Sequence, residues 1–339
     1  MSVPDAPRAS SPLTVVVIGG GASSEHSVSL ASAAAIAAAL DRDRYEVIEL
    51  VIRPDGSWAS ADGGHLSGDL AEAVQILERA DVVIPALHGP RGEDGTMAAL
   101  LDLIGVPYVG SGVFAGAVAM DKQATKLLAR EEGIRVARWF RATATHVHGL
   151  TADSFPVVVK PTRAGSSHGV TLVPSPAELA AAIATALALD DSALVEELLV
   201  GREVDVAVLE RSDGTLVCAP PLEIVVSEGG LFDTAGKYER EPDFRIPAEL
   251  EPELQAELEA AAQTMFRALG CRGMARVDFF VTAEGVVLNE VNTFPGFTAR
   301  SQVPRMFAAA GISYSELLDI LIATALAGPG GYRARSAAS

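Results

Sequence analysis

From Thr14 onward the chain alternates near-continuous apolar runs with stretches of helical spacing. TVVVIGG from Thr14, YEVIELVI from Tyr45 and DVVIPALHG from Asp81 are rich in Val and Ile, and helical patterns cover Ser27–Leu40 and Asp69–Arg79 between them. Strands that are apolar on both faces and separated by helices imply a parallel sheet covered on both sides. Ligands in such folds sit outside the carboxyl ends of the strands, where this chain has two polar clusters, GGGASSEHSVS and LHGPRGEDG. A second α/β unit is expected from near Met120. There MDKQATKLLAREEG reads as an amphipathic helix, followed by RVARWFRA, PVVVKPTRAGSSHGVTLV, an Ala-rich helix over Pro176–Leu189 and ALVEELLVGREVDVAVLE. From about Thr215 the pattern predicts a long loop between Ser227 and Pro247, a helix over Glu249–Leu269, a hairpin and a closing helix over Tyr314–Ala327. The chain thus divides into 1–120, 121–214 and 215–332 with a tail of 333–339, shows no internal repeat, and is expected to be of mixed α/β and α+β class.

The hairpin lies in CRGMARVDFFVTAEGVVLNEVNTFPGFTARSQVPR. Period-two alternation sets Arg276 and Asp278 on one face of its first strand, and Glu290 and Asn292 on one face of its second. Three oxygen donors then converge beside one guanidinium, a set suited to a hard cation such as Mg²⁺ or Mn²⁺ that completes its shell with water and nucleotide phosphate. The competing reading is a surface hairpin whose polar face meets solvent. Against it stands NTFPGFT, where Pro295 and Gly296 give a rigid bend and a bare N–H directly after the donors.

Composition narrows the partners. The 339 residues are 49% hydrophobic, enough to bury the cores of two or three domains. A net charge of −18 argues against nucleic acid, which is bound by excess Lys and Arg, so an anionic nucleotide would need locally clustered cations. The two cysteines, Cys218 and Cys271, are far apart and read as buried hydrophobes of a reduced, cytoplasmic protein. The polar first twelve residues resemble no secretory signal, and Ser29–Leu40 is too short to cross a bilayer, so no membrane partner is expected.

GGGASSEHS follows a strand and opens a helix, but Ser24 stands where a dinucleotide fingerprint needs its third glycine. What remains is a helix N-terminus with Ser caps and Glu25 in its first turn, either as capping charge or as a carboxylate for a substrate ammonium. In VVVKPTRAGSSHGV a strand delivers Lys160 into a loop with Gly165, Ser166, Ser167 and Gly169 whose N–H groups could cradle phosphates. The loop is no Walker A motif, and its alternative is a plain hairpin turn; partnership with Lys122, Lys160 and Lys237 favours phosphate. Glu196, Glu197 and Glu203 flank Gly201 and are either solvated or placed for adenine and ribose. His88 is a loop histidine or a ligand, and His65, His146, His148 and His168 carry no metal spacing.

Taken in order, GGGASSEHSVSL, LHGPRGEDGT, PYVGSGVFAGAVAMDK, VVVKPTRAGSSHGV, GKY, GCRGMARVDFF and LNEVNTFPGFT resemble the ATP-grasp ligases, and within them the D-alanine:D-alanine ligases of peptidoglycan synthesis, from Val15 to about Leu326. The resemblance implies an ATP-grasp fold behind an N-terminal parallel-sheet α/β domain, and a homodimer through that N-terminal region. It implies that Lys122 and Lys160 meet the phosphates of ATP, that Glu196 and the backbone around Glu197 and Leu199 meet adenine, and that Glu203 meets ribose. Asp278, Glu290 and Asn292 would hold two Mg²⁺ or Mn²⁺ ions, Arg276 and Gly296 would stabilise an oxyanion, and Glu25 and His88 would bind the first D-alanine. Ser301 and Lys237 would hold the second, with Gln302 beside them, and Tyr238 and Ser166 would join Glu25 in a network that closes the site. The chain departs from the family at Ala98, Ala164 and Gln302, while the tyrosine that D-lactate ligases typically lack is present as Tyr238. A D-alanine:D-lactate or D-alanine:D-serine ligase, a related dipeptide ligase of specialised metabolism and, more distantly, a non-catalytic nucleotide-binding regulator are the other readings.

Overall fold

The computed structural model describes residues 11–61, 66, 70–145, 154–225 and 243–328. Lys237 and Tyr238, three of the unassigned histidines (His65, His146 and His148), most of the Ser227–Pro247 loop and the 333–339 tail lie outside them.

The first sheet has the order β3-β2-β1-β4, built from β1 (Leu13–Gly20), β2 (Tyr45–Ile52), β3 (Trp58–Ser60) and β4 (Val82–Pro85). β1 pairs in parallel with β2 and β4, as the apolar runs predict; β3, too short to leave a sequence pattern, adds an antiparallel edge. Both faces are covered. Val15 and Val17 share a core with Ile36 of α1 (His26–Ala39), and Val16 and Ile18 with Leu77 of α2 (Leu70–Leu77) and Leu101 of α3 (Thr96–Ile104).

Two helices, α4 (Val113–Met120) and α5 (Lys122–Glu131), lead into a four-stranded antiparallel sheet. It comprises β5 (Trp139–Thr143), β6 (Val157–Pro161), β7 (Thr171–Val173) and, beyond α6 (Pro176–Leu187), β8 (Ser192–Glu197), in the order β5-β8-β6-β7. Val157 and Val159 pack on Leu179 and Ile183 of α6. Alternation therefore turns Lys160 to the opposite face.

The third sheet takes β9 (Gly201–Glu210), β10 (Leu216–Cys218), β11 (Leu222–Val225), β12 (Asp243–Arg245), β13 (Met274–Thr282) and β14 (Gly285–Asn292). Its order is β12-β11-β9-β13-β14, with β10 also on β9. The run ALVEELLVGREVDVAVLE is thus shared between two sheets, and β9, the last strand before residue 214, lies in the third. Gly201 makes the break: a Cβ there would sit 2.4 Å from the Val281 carbonyl oxygen, so a side chain would hold the strands apart. β12 also places a strand inside the stretch expected to be loop up to Pro247, where Phe244 is the one apolar residue of a three-residue pattern.

Val204, Val206, Val208, Val277 and Phe279 face α7 (Pro252–Ala268), with Ala129 of α5 in the same core. Glu203, Asp205, Arg276 and Asp278 are left on the other side. α8 (Gln302–Ala309) and α9 (Tyr314–Ala327) run back over the first sheet, where Met306, Phe307, Leu317 and Leu321 join the core of Val15 and Val17. First and last thirds of the chain therefore share one core. Among the described residues no single helix is long and apolar enough to cross a membrane, and Cys218 and Cys271 are free thiols, the latter buried.

Candidate active site

The hairpin delivers the geometry its alternation predicts. Across the β13–β14 pair, Arg276 stands opposite Asn292 and Asp278 opposite Glu290, joined at the far end by a turn at Ala283 and Glu284. The register slips once, between Asp278 and Phe279, so Asn289 is an extra residue in β14. That bulge reconciles two parities: Val286 and Leu288 face the core, while Glu290 and Asn292 face the site. Arg276 Nε and Nη2 donate to the two Asp278 oxygens at 2.7 and 2.8 Å, and Asn292 Nδ2 donates to Asp278 Oδ2 at 2.9 Å. Lys122 Nζ lies 3.4 Å from Glu290. Burial would raise the Glu290 carboxyl, but Lys122, Lys160 and Arg276 outweigh it and hold it at about 2. For Asp278 burial prevails over Arg276 and the pKa is raised.

A residue the sequence reading passed over completes this wall. Asp205 on β9 stands opposite Asp278, its Oδ2 3.6 Å from Arg276 Nε and accepting from Gln302 Nε2 at 2.8 Å, while its buried Oδ1 has no partner among the described residues. Burial and then the Asp278 charge push its pKa well above the usual carboxylate range. Alternation in GREVDV already places it on the face of Glu203. Gln302, expected at the substrate, is engaged with Asp205 and also lines the cleft.

The facing wall is cationic. Lys160 Nζ lies 2.9 Å from Glu196 Oε2, and Lys126 Nζ lies 3.2 Å from the other oxygen. Lys126, one helical turn beyond Lys122, is 1% exposed; burial lowers its pKa more than Glu196 raises it. Burial would raise Glu196, but Lys160 and then Lys126 reverse the sign and lower it. Lys160 also donates to the bulged Asn289 at 3.3 Å. Glu197 accepts from both the backbone N–H and the Nε of Arg138. Leu199, Ser167 and Glu203 line the adjoining pocket with Glu196 and Lys160.

Glu25 is the N-cap residue of α1, one position earlier than expected, and caps nothing with its side chain. Its carboxylate accepts from the Ser166 hydroxyl at 2.5 Å. The approach requires glycine twice: a Cβ on Gly89 would stand 2.8 Å, and one on Gly165 3.0 Å, from Glu25 Oε2. Ser166 and Ser167 both hold positive φ, of 50° and 57°, an unusual pair for residues with side chains. Lys122 Nζ donates to the Ala164 carbonyl at 2.7 Å and ties the glycine loop to α5.

His88 is buried, its Nδ1 3.0 Å from the Phe294 carbonyl oxygen and its Nε2 3.0 Å from Ser32 Oγ. Ser301, the N-cap residue of α8, turns its hydroxyl to the Thr298 N–H at 3.0 Å, and a Cβ on Gly296 would sit 3.5 Å from it. One cleft of about 440 Å³ is lined by Glu25, Ser166, Arg276, Glu290, Gly296 and Ser301. Every described residue of the expected site lines this cleft or the pocket joined to it. Asp278, Glu290 and the amide of Asn292 supply oxygen donors on one face beside Lys122, and this set fits a hard divalent cation.

Models of the D-ala D-ala ligase N-terminus match residues 14–79 and 63–111, and that of the D-ala D-ala ligase C-terminus matches 128–323. A D-alanine–D-alanine ligase of Corynebacterium aurimucosum is 44% identical over 93% of this chain and 98% of its own. Among solved structures, the VanG D-Ala:D-Ser ligase from Enterococcus faecalis superposes with a TM-score of 0.80 at 33% identity, covering 93% of this chain and 99% of that one. The D-alanine–D-alanine ligase from Bacillus anthracis complexed with ATP gives 0.77 at 30% identity, covering 93% and 97%.

Proposed function

The chain belongs to the D-alanine–D-alanine ligase family, with its ATP-grasp fold, and from that premise we propose how its own residues join two D-alanines at the expense of ATP for cell-wall precursor synthesis. The observation that carries the reading is the single cleft in which Glu25, the glycine loop, the Arg276–Asn292 face and Ser301 meet. Adenine would lie at Glu196 and the backbone of Glu197 and Leu199, ribose at Glu203, and the phosphates between Lys160, Lys122 and the loop holding Ser166 and Ser167. Glu25, braced by Ser166, would receive the first D-alanine's ammonium, with His88 nearby. That substrate's carboxylate oxygen attacks the γ-phosphorus, the bond to the β-phosphate oxygen breaks, and ADP leaves behind an acyl phosphate. Lys122 and Lys160 supply fixed positive charge where the transferred group passes, and such positioning is most of what phosphoryl transfer needs. Asp278, Glu290 and Asn292 would hold two Mg²⁺ or Mn²⁺ ions, which when bound neutralise phosphate charge.

In the second step the amine of the other D-alanine attacks the acyl carbon and phosphate departs. Arg276 and the Gly296 N–H would stabilise the oxyanion. Ser301 and Lys237 would hold the acceptor's carboxylate beside Gln302, and Tyr238 would close the network of Ser166 and Glu25; Lys237 and Tyr238 enter on the family resemblance alone. A cytoplasmic homodimer associating through the N-terminal domain completes the proposal, and Leu103 and Phe114, 88% and 62% exposed there, are apolar candidates for its contact. Incubation with ATP, Mg²⁺ and D-alanine should yield ADP, phosphate and D-alanyl-D-alanine. Ligation only when D-serine or D-lactate is added as acceptor would reject the D-alanine assignment.

A further inference from the structure

The turn Phe294-Pro295-Gly296-Phe297 is gripped from the N-terminal domain at both ends. Ser32, on α1 and fully buried, accepts the Phe297 N–H at 3.1 Å and lies 3.0 Å from His88 Nε2. The Phe294 carbonyl can only accept, so His88 Nδ1 carries the proton toward it. Nε2, on the other side of the ring, is then left to share a hydrogen bond with the Ser32 hydroxyl, which also accepts from Phe297. Gly296 therefore sits between two residues whose backbone groups are tied to one serine–histidine pair. Tyr314 completes the grip, donating to the Phe297 carbonyl at 2.5 Å.

We propose that Ser32 is a positioning residue for amide formation: through Phe297 and His88 it fixes the Gly296 N–H relative to α1, whose N-cap residue Glu25 holds the first substrate. The inference rests on the roles proposed above for Glu25 and Gly296. An alanine at 32 leaves the Phe297 N–H and His88 Nε2 buried without partners, and the turn relaxes away from the geometry the oxyanion requires.

The control lies on the same helix. Ser29 is equally buried and donates to the Ala86 carbonyl at 2.5 Å, without touching the turn. In steady-state assays of the full chain, Ser32→Ala should lower kcat for dipeptide synthesis about tenfold, with KM for ATP and for the first D-alanine held within about twofold. Ser29→Ala should keep kcat within about twofold for a similar fall in Tm. Equal kcat losses in the two variants, or a Ser32→Ala defect confined to the KM of the first D-alanine, would overturn the assignment. Should Ser32→Ala not fold, Ser32→Cys, which keeps the volume and a weaker donor, is read by the same two criteria. Wild-type protein that makes no dipeptide overturns the underlying ligase reading, a result separate from either variant's.

Discussion

The two charged walls of the cleft are opposites. On the third sheet three carboxylates, Asp205, Asp278 and Glu290, crowd one guanidinium, Arg276. Opposite it two ammonium groups, Lys160 on the second sheet and Lys126 on α5, share one carboxylate, Glu196. Buried charge is costly unless matched; Lys122 joins Arg276 on the acidic side at Glu290 but still leaves carboxylates in excess there, while ammonium groups are in excess around Glu196. Each surplus has the sign opposite to what the wall is proposed to receive: cations on the acidic side, polyphosphate on the basic side. The contrast also shows in the pKa values. Burial acts in the same direction on every carboxylate, yet Asp205 ends raised and Glu196 lowered, because their neighbours differ in sign.

The strongest way to break this comparison is to remove a carboxylate from the acidic wall. Asp278→Ala should reduce kcat for ADP release about a thousandfold while circular dichroism reports a folded chain, since Arg276 keeps Asp205 as a neighbour. Turnover near the wild-type rate would remove Asp278 from the chemistry.

A smaller effect tests the signs. The folded pKa of Asp205 is raised above its unfolded value, so the stability it contributes is present below that value, about 4, and is lost as pH rises toward the folded one. Asp205→Asn should match wild type near pH 4 and gain about 2–4 °C in Tm by about pH 8. Glu196 is depressed, so its contribution is present above the unfolded value, about 4.3, and is lost as pH falls through the folded one. Glu196→Gln should lose most Tm near neutrality, with the deficit shrinking as the medium is acidified. Thermal melts with both differences running the same way with pH would show that the walls are not opposed.

The smallest effect concerns the joint between the walls. Asn289→Ala removes the acceptor that the acidic hairpin offers to Lys160 and should raise KM for ATP about threefold with kcat little changed. An unchanged KM would mean that Lys160 is placed by Glu196 alone.

Much of this architecture is legible in the amino-acid sequence. The apolar runs implied the parallel pairing of the first sheet, and alternation in MARVDFF and LNEVN put Arg276, Asp278, Glu290 and Asn292 on one face, because strand periodicity is a local property. Lys126 lies one turn past Lys122 in a stretch legible only as an amphipathic helix, and its packing against Glu196 is what turns it inward. Asp205 was hidden by company, since Glu203 alone drew attention in GREVDV. The sharing of β8 and β9 between two sheets could not be seen, because a single continuous apolar run gives no sign of where its pairing partners change. Ser32 was unreadable for the same reason: its partners lie 56 and 265 residues away in sequence.

The bulge at Asn289 bears on how this hairpin tolerates change in length. Deleting that one residue would leave the more regular ladder, with Glu290 still opposite Asp278 and Leu288 still opposite Phe279. The cation-facing side would survive, and the deleted chain would be the better hairpin by the standards of a sheet alone. It would lose the hydrogen bond that this strand offers Lys160, leaving only the longer-range attraction of Glu290. Regularity is therefore not what this segment is shaped for: one surplus amino acid lets two sheets agree on the place of one ammonium group.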